Sequence, residues 1–304
     1  MKPASFHYYR ARSLQEALDL LSGAAANGKL LAGGQSLIPL MNLRLARPEA
    51  LIDLNSIPGL SYIRSEGNKI AIGALTRHRE MEFSELLAKE LPLLAEAIPQ
   101  IGHPAIRNRG TLGGSLAHAD PAAELPCVLT ALDARMVAAG PDGERVIRAE
   151  DFFTGFYATA LADHEILKEV RIPLEKRAAG WSFVEFARRH GDFALAEASV
   201  LLFADGAGDR CTAGDGCTAA RVVVGGSVER PVRVGGVEKL IQGEISLNTQ
   251  ASSLAHVLQR VEQLTETEIR SSIAGRENPD YLCHLTGVLA RRALESAMER
   301  WRKA

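Results

Sequence analysis

The chain has 304 residues, 46% of them hydrophobic and 24% charged, with 35 Lys and Arg against 37 Asp and Glu for a net charge of −2. This length predicts about two domains, and the composition excludes disorder or low complexity as a description of the whole chain. Near-neutrality argues against a dedicated nucleic-acid binder, which needs clustered cations to neutralise phosphate.

The first expected element is a helix from Ser13. Ser13-Leu14-Gln15-Glu16 has the form of a capping box. Leu14, Ala17, Leu18 and Leu21 then make one apolar stripe, and Asn27-Gly28 is the expected stop. Residues 29–32 read as a short buried strand that runs into Gly33-Gly34-Gln35-Ser36 and then into an apolar turn or helix. A strand follows at 50–54, and a hairpin at 62–74 turns at Glu66-Gly67-Asn68. Helices are expected at 77–87 and 90–98. Residues 102–116, rich in Gly, Pro and Arg, predict a loop with little regular structure. Asp120-Pro121 predicts the next helix start, with Asp as N-cap and Pro at the first position. Strands at 134–139 and 145–148 join through Pro141-Asp142-Gly143. Strands at 165–172 and 181–187 flank the polar linker 173–180, which sets a boundary between domains 1–176 and 177–304. Strands at 198–203 and 220–225, then helices at 236–241, 250–267 and 278–302, complete an α+β pattern.

No stretch reaches the roughly 20 apolar residues that span a bilayer, and residues 1–13 lack the apolar core of a secretory signal. A cytoplasmic protein with no transmembrane segment is expected. Cys127, Cys211, Cys217 and Cys283 have neither zinc nor iron–sulfur spacing. They read as reduced thiols, with Cys211 and Cys217 on a surface hairpin.

Two glycine-rich loops stand out: Ala32-Gly33-Gly34-Gln35-Ser36 and Thr111-Leu112-Gly113-Gly114-Ser115. Paired glycines let successive backbone N–H groups approach an anion, and a following helix start adds a favourable dipole. Either loop alone is more often a tight turn. Two of the same chemistry in one domain point to a ligand such as a pyrophosphate. Neither a GxGxxG nor a GxxxxGK[ST] fingerprint is present. Ser115, His118 and Asp120 lie too close together in sequence for a hydrolase triad. His118, Asp120 and Glu124 could ligate a metal, but Asp120 is better explained as a helix cap, so neither a catalytic residue nor a metal site is assigned. Arg107 and Arg109 either complement phosphate or lie on a solvated face. Arg188–Asp192 reads as a charged turn or as a subunit or cofactor contact, and the C-terminal helix as a mostly solvated, salt-bridged face.

The segments LLAGGQSLIPLMNLRLARPEALIDLNSIPGL (30–60) and IGHPAIRNRGTLGGSLAHADPAAELP (101–126) closely resemble the FAD-binding medium subunit of molybdenum hydroxylases, of the carbon monoxide dehydrogenase type. The likeness continues at 186–202, 221–233 and 281–294, in the same order. It implies a vanillyl-alcohol-oxidase (PCMH)-type FAD-binding domain over about 1–176, followed by a smaller α+β domain. It implies FAD held by Ala32, Gly33, Gly34, Gln35, Ser36 and Leu37 and by Thr111, Leu112, Gly113, Gly114 and Ser115. Asp120 and Glu124 would join the site, Glu124 facing ribityl or ribose hydroxyls, and Leu167 would touch the flavin or adenine ring. It further implies a large molybdenum-cofactor subunit and a small 2Fe–2S subunit as partners, in a dimer of heterotrimers. FAD would relay electrons from the clusters to an external acceptor. Two readings compete with it: a stand-alone FAD oxidoreductase of the same fold, and a non-catalytic α+β binding protein. One departure is that relatives often carry Tyr-Arg where this chain has Tyr281-Leu282. An insertion with extra cysteines for a 4Fe–4S cluster, found in some relatives, is absent.

Overall fold

The computed structural model describes residues 2–25, 27–174, 178–204 and 216–303, which fall into two compact units. The first comprises 1–86, 103–120 and 134–172; the second comprises 87–102, 121–133 and 173–304.

The first unit opens with β1 (His7–Arg10), α1 (Leu14–Ser22), β2 (Lys29–Leu31), α2 (Leu37–Asn42) and β3 (Ala50–Asp53). Ser13 caps α1 as its spacing predicts, accepting from the Glu16 amide at 3.1 Å, while Glu16 reaches back to the Arg12 amide. The helix stops at Gly23, earlier than Asn27-Gly28. Strands β1, β3 and β2 form a parallel three-stranded sheet in that order. Ala17, Leu18 and Leu21 of α1 bury against Ala50 and Ile52. Strand β1 has no sequence signal of its own, because three of its four residues are exposed and Tyr9 alone among them is half-buried.

A second sheet follows from β4 (Ile63–Ser65) and β5 (Lys69–Gly73), paired as the predicted hairpin. Between 78 and 133 the chain is helical: α3 (His78–Glu82), α4 (Glu85–Glu90), α5 (Pro92–Ala97), α6 (Pro104–Arg107), α7 (Leu112–His118) and α8 (Glu124–Ala131). The expected loop at 102–116 therefore contains α6 and the start of α7. Pro104 sits in the first turn of α6, where no amide is required, and the Thr111 hydroxyl caps α7 by accepting from the Gly114 amide.

Asp120 is not the N-cap of α8. Ala119, with φ 49°, closes α7 in the left-handed conformation, and Ala123 caps α8. Pro126 explains the shift: it must lie in the first turn, because deeper in a helix it would remove a backbone bond and clash. The first unit then adds β6 (Arg135–Gly140), β7 (Gly143–Arg148), α9 (Ala149–Phe152), β8 (Phe153–Gly155), β9 (Ala158–Thr159) and β10 (Ile166–Pro173). Its second sheet runs β4-β5-β10-β6-β7.

The second unit is built on β11 (Gly180–Phe186), β12 (Ala196–Ala204), β13 (Cys217–Gly225) and β14 (Val232–Arg233), an antiparallel sheet in sequence order. It ends in α10 (Gly235–Glu244), α11 (Ala251–Ile273) and α12 (Pro279–Lys303). Strand β12 is buried on both faces, which explains its unbroken apolar run. Ala198, Val200 and Leu202 pack with the C-terminal helices, and the Gly180 backbone lies so close to the Ala297 carbonyl that no Cβ would fit. The opposite face carries Ser199 and Val223, which meet Cys127 of α8. All eight residues of α8 are buried. Arg300 of α12 is not on a solvated face: it forms a two-pronged pair with Glu96 of α5 at 2.6 and 2.7 Å and also bonds the Trp181 carbonyl. Cys217 is buried in β13 rather than on a surface hairpin, and burial raises its thiol to about 11. Cys211 lies outside the described residues.

Candidate functional site

In a parallel sheet the space beyond the carboxyl ends of the strands is open to a ligand. A cleft of about 450 Å³ opens there, beyond β2 and β3. Residues 31–35 line one side, Asp53 and Asn55 another, and Arg109 a third. The first loop is shaped for this position. Gly34 has φ +71°, a conformation that side chains strain. A Cβ on Gly33 would fall 2.3 Å from the Arg109 carbonyl oxygen. Among the described residues no acceptor bonds the amides of Gly33, Gly34, Gln35 or Ser36. Ser36 precedes α2 and makes no side-chain capping bond; Leu37 begins that helix. Successive open amides of this kind can receive an anion.

The second loop lies alongside the first: a Cβ on Gly114 would be 3.5 Å from the Ala32 Cβ. Its amides are engaged. Leu112 donates to the Thr76 carbonyl at 3.0 Å, Gly113 to Ala74 at 2.7 Å and Ser115 to Thr111 at 3.0 Å. Gly114 donates to the Thr111 hydroxyl at 3.1 Å. Gly113 is required by packing, since a Cβ there would sit 2.5 Å from the Ala74 Cβ. The two loops therefore differ in their backbone: among the described residues the amides of the first are open and those of the second are engaged. The second contributes a capped helix start, the half-buried Ser115 and a close-packed wall.

Asp120 lies 3.4 Å from the Tyr157 hydroxyl, and the Tyr157 ring sits 5.1 Å from that of His118. Burial lowers the His118 imidazole, against the nearby Asp120 charge. Leu167 is buried in β10. Glu124 is buried in the first turn of α8, in the second unit. Of the two flanking arginines, Arg107 is buried and paired with Glu82 at 2.9 Å, so its charge belongs to the fold. Only Arg109 lines the cleft.

Residues that sequence reasoning missed frame the cleft. Asn55 donates to the Ala32 carbonyl at 2.9 Å and to Asp53 at 2.6 Å. Arg77 donates to Asn55 Oδ1 at 2.6 Å and to the Arg109 carbonyl. The available signal was position: Asp53-Leu54-Asn55 leaves a parallel strand at the end where ligands bind. Beneath the second loop, burial pushes the His78 imidazole down to about 4, with the Thr111 backbone opposing and the Arg107 and Arg77 charges reinforcing. His78 is thus neutral at pH 7.

Two family models together match nearly the whole chain. The model described as "FAD binding domain in molybdopterin dehydrogenase" matches residues 4–175, and "CO dehydrogenase flavoprotein C-terminal domain" matches 181–297. The 6-hydroxypseudooxynicotine dehydrogenase complex subunit alpha of Paenarthrobacter nicotinovorans is 42% identical over 84% of each chain. The carbon monoxide dehydrogenase medium chain of Afipia carboxidovorans is 34% identical over 99% of each. The crystal structure of a Cu,Mo-CO dehydrogenase in its cyanide-inactivated form superposes with a TM-score of 0.87 at 33% identity, over 99% of this chain and 100% of that one. FAD carries a diphosphate, and a cradle of open amides that a Cβ would fill suits such a group. The chain belongs to the FAD-binding flavoprotein medium subunits of the molybdenum hydroxylases, of the carbon monoxide dehydrogenase type.

Proposed function

We propose that this chain is the electron-relay subunit of a heterotrimeric molybdenum hydroxylase. Its partners would be a large subunit with the molybdenum cofactor and a small subunit with 2Fe–2S clusters, assembled as a dimer of heterotrimers in the cytoplasm. FAD, when bound, would supply the redox chemistry between the partner's clusters and an external acceptor. The chain's own residues bind and orient. The amides of residues 33–36 hold the diphosphate, with Arg109 supplying positive charge. Ala32, Leu37 and residues 111–115 wall the cofactor in. Asp120 and Glu124 accept from its hydroxyls, and Leu167 packs against a ring. No side chain is required as general acid or base toward the substrate.

The open amides of the first loop, beside Arg109 at the carboxyl ends of parallel strands, carry this reading. The four cysteines lack cluster spacing, which fits clusters on another chain. Among the described residues no helix is long and apolar enough to cross a membrane. The relatives are named for nicotine-derived compounds, caffeine and carbon monoxide, so the substrate is expected to be chosen by the partner subunits.

Anaerobic stopped-flow tests the relay. The purified chain with FAD should be bleached by dithionite but not by the substrate of the complex. Adding both partner subunits should restore substrate-driven bleaching. Rapid bleaching of the single chain by substrate would make it a self-sufficient flavoenzyme and end this reading.

A further inference from the structure

Arg77 does not line the cleft, yet its guanidinium is the point at which both glycine loops are joined. One arm bonds Asn55 Oδ1, and Asn55 in turn holds the Ala32 carbonyl at the start of the first loop. The other arm bonds the carbonyl of Arg109, just before the second loop. That same carbonyl lies against Gly33, where no Cβ could fit. Asn55 is itself fixed, because Asp53 accepts from both its side chain and its amide, and Asp53 is oriented by the Tyr8 hydroxyl. One planar, two-armed cation thus spans the gap, a geometry that the single ammonium of lysine cannot reproduce.

Arg77 is half-buried, and its guanidinium is pulled below its ordinary value first by burial and then by the charge of Arg109, with Glu80 and Asp53 opposing. Its charge is balanced within the fold by these carboxylates, so its part is to hold the two loops in place rather than to face an anion.

We propose that Arg77, acting through Asn55 and the Arg109 backbone, is a positioning residue that sets the spacing of the two glycine loops, so that diphosphate affinity depends on a side chain outside the cleft. This rests on the cofactor site proposed above. Replacing Arg77 removes no contact to the ligand; it frees the first loop and the Arg109 segment to move independently, and the bound geometry must then be selected from a wider ensemble.

The test uses the full-length chain stripped of flavin, titrated with FAD by fluorescence quenching at several salt concentrations. Thermal unfolding of each apo variant checks folding. Arg77→Met should weaken FAD binding by roughly tenfold or more, the scale of a lost bond to a charged group. Arg77→Lys should recover part of the loss. Asn55→Ala should weaken binding similarly, and the double variant should be little worse than either single one, because both break one linkage. The slope of log Kd against log salt should stay unchanged, since the charge facing the diphosphate remains. Unchanged affinity in Arg77→Met, full additivity in the double variant, or a shallower salt slope would each overturn the proposal. If Arg77→Met does not fold, the Asn55→Ala result decides. Gly34→Val runs in parallel. Loss of FAD there with normal binding in the Arg77 variants would remove the strut and keep the cradle, whereas normal binding in Gly34→Val would remove the cradle itself.

Discussion

Gly33-Gly34 and Gly113-Gly114 lie side by side in one unit, and their glycines answer different demands. In the first loop Gly33 has no room for a Cβ against the Arg109 carbonyl, but Gly34 is left-handed and the amides that follow are open. In the second the demand is steric and inward-facing: Gly113 has no room for a Cβ against Ala74, and its amide is bonded to that residue's carbonyl. The same dipeptide thus leaves its donors open at one place and engages them in packing at the other. Spacing alone cannot separate the two, because the difference lies in where each backbone donor is directed.

The largest expected effect breaks this comparison directly. Gly34→Val forces a branched residue into a left-handed position and sets its Cβ about 3.1 Å from Ile38. Losing two amide bonds to a charged diphosphate, at about 1.5–3 kcal/mol each, should weaken FAD binding more than about a hundredfold. Circular dichroism should remain that of a folded chain. Gly113→Val should do the reverse: lower stability by about 1–3 kcal/mol through overpacking, with the smaller change in FAD affinity. Flavin absorbance after gel filtration and thermal melts read the two. If the effects exchange places, the assignment of roles to the loops is wrong.

A second prediction sharpens the inward-facing character of the second loop. The imidazole of His78 packs beneath it, near Gly110, and protonates only near 4 in the fold. An unfolded histidine protonates near 6.5. Between those values the unfolded state binds more protons, so stability falls as pH drops from about 6.5 toward 4. At pH 5 the loss amounts to about 2 kcal/mol. Denaturant melts across pH 5–7 should show this slope in the wild type and a flatter one in His78→Gln; equal slopes would refute a buried neutral imidazole. The smallest effect is expected at Thr111. Removing the cap in Thr111→Ala should cost about 1 kcal/mol of stability, and Thr111→Ser should restore most of it.

Much of the architecture was legible in the sequence because periodicity and turn chemistry are local. The α1 stripe, the Glu66-Gly67-Asn68 hairpin, the Pro141-Asp142-Gly143 turn and the three C-terminal helices all appear where the pattern puts them, with α10 and α11 somewhat longer. The elements that escaped are those fixed by distant partners. Strand β1 exists because Ala50–Asp53 offers it a parallel edge. Helices α6 and α7 are too short for an apolar period and declare themselves only through Pro104 and the Thr111 cap. At the site the glycines were visible as a motif. The Asn55–Arg77 linkage was not, because it joins residues 22 apart whose types are ordinary for a surface.

The path of the chain through the second unit bears on how the protein is made. Helices α5 and α8 belong to that unit, yet the last strand that α8 packs on, β14, ends roughly a hundred residues after it. At a synthesis rate of about 5–20 residues per second, the nascent α8 waits about 5–20 s for its sheet. Every one of its eight residues is destined for burial. During that interval the emerging chain carries a sticky segment with no native surface to receive it. Its yield in a cell should therefore respond to the chaperones that attend the ribosome, and to codon choice between residues 134 and 233.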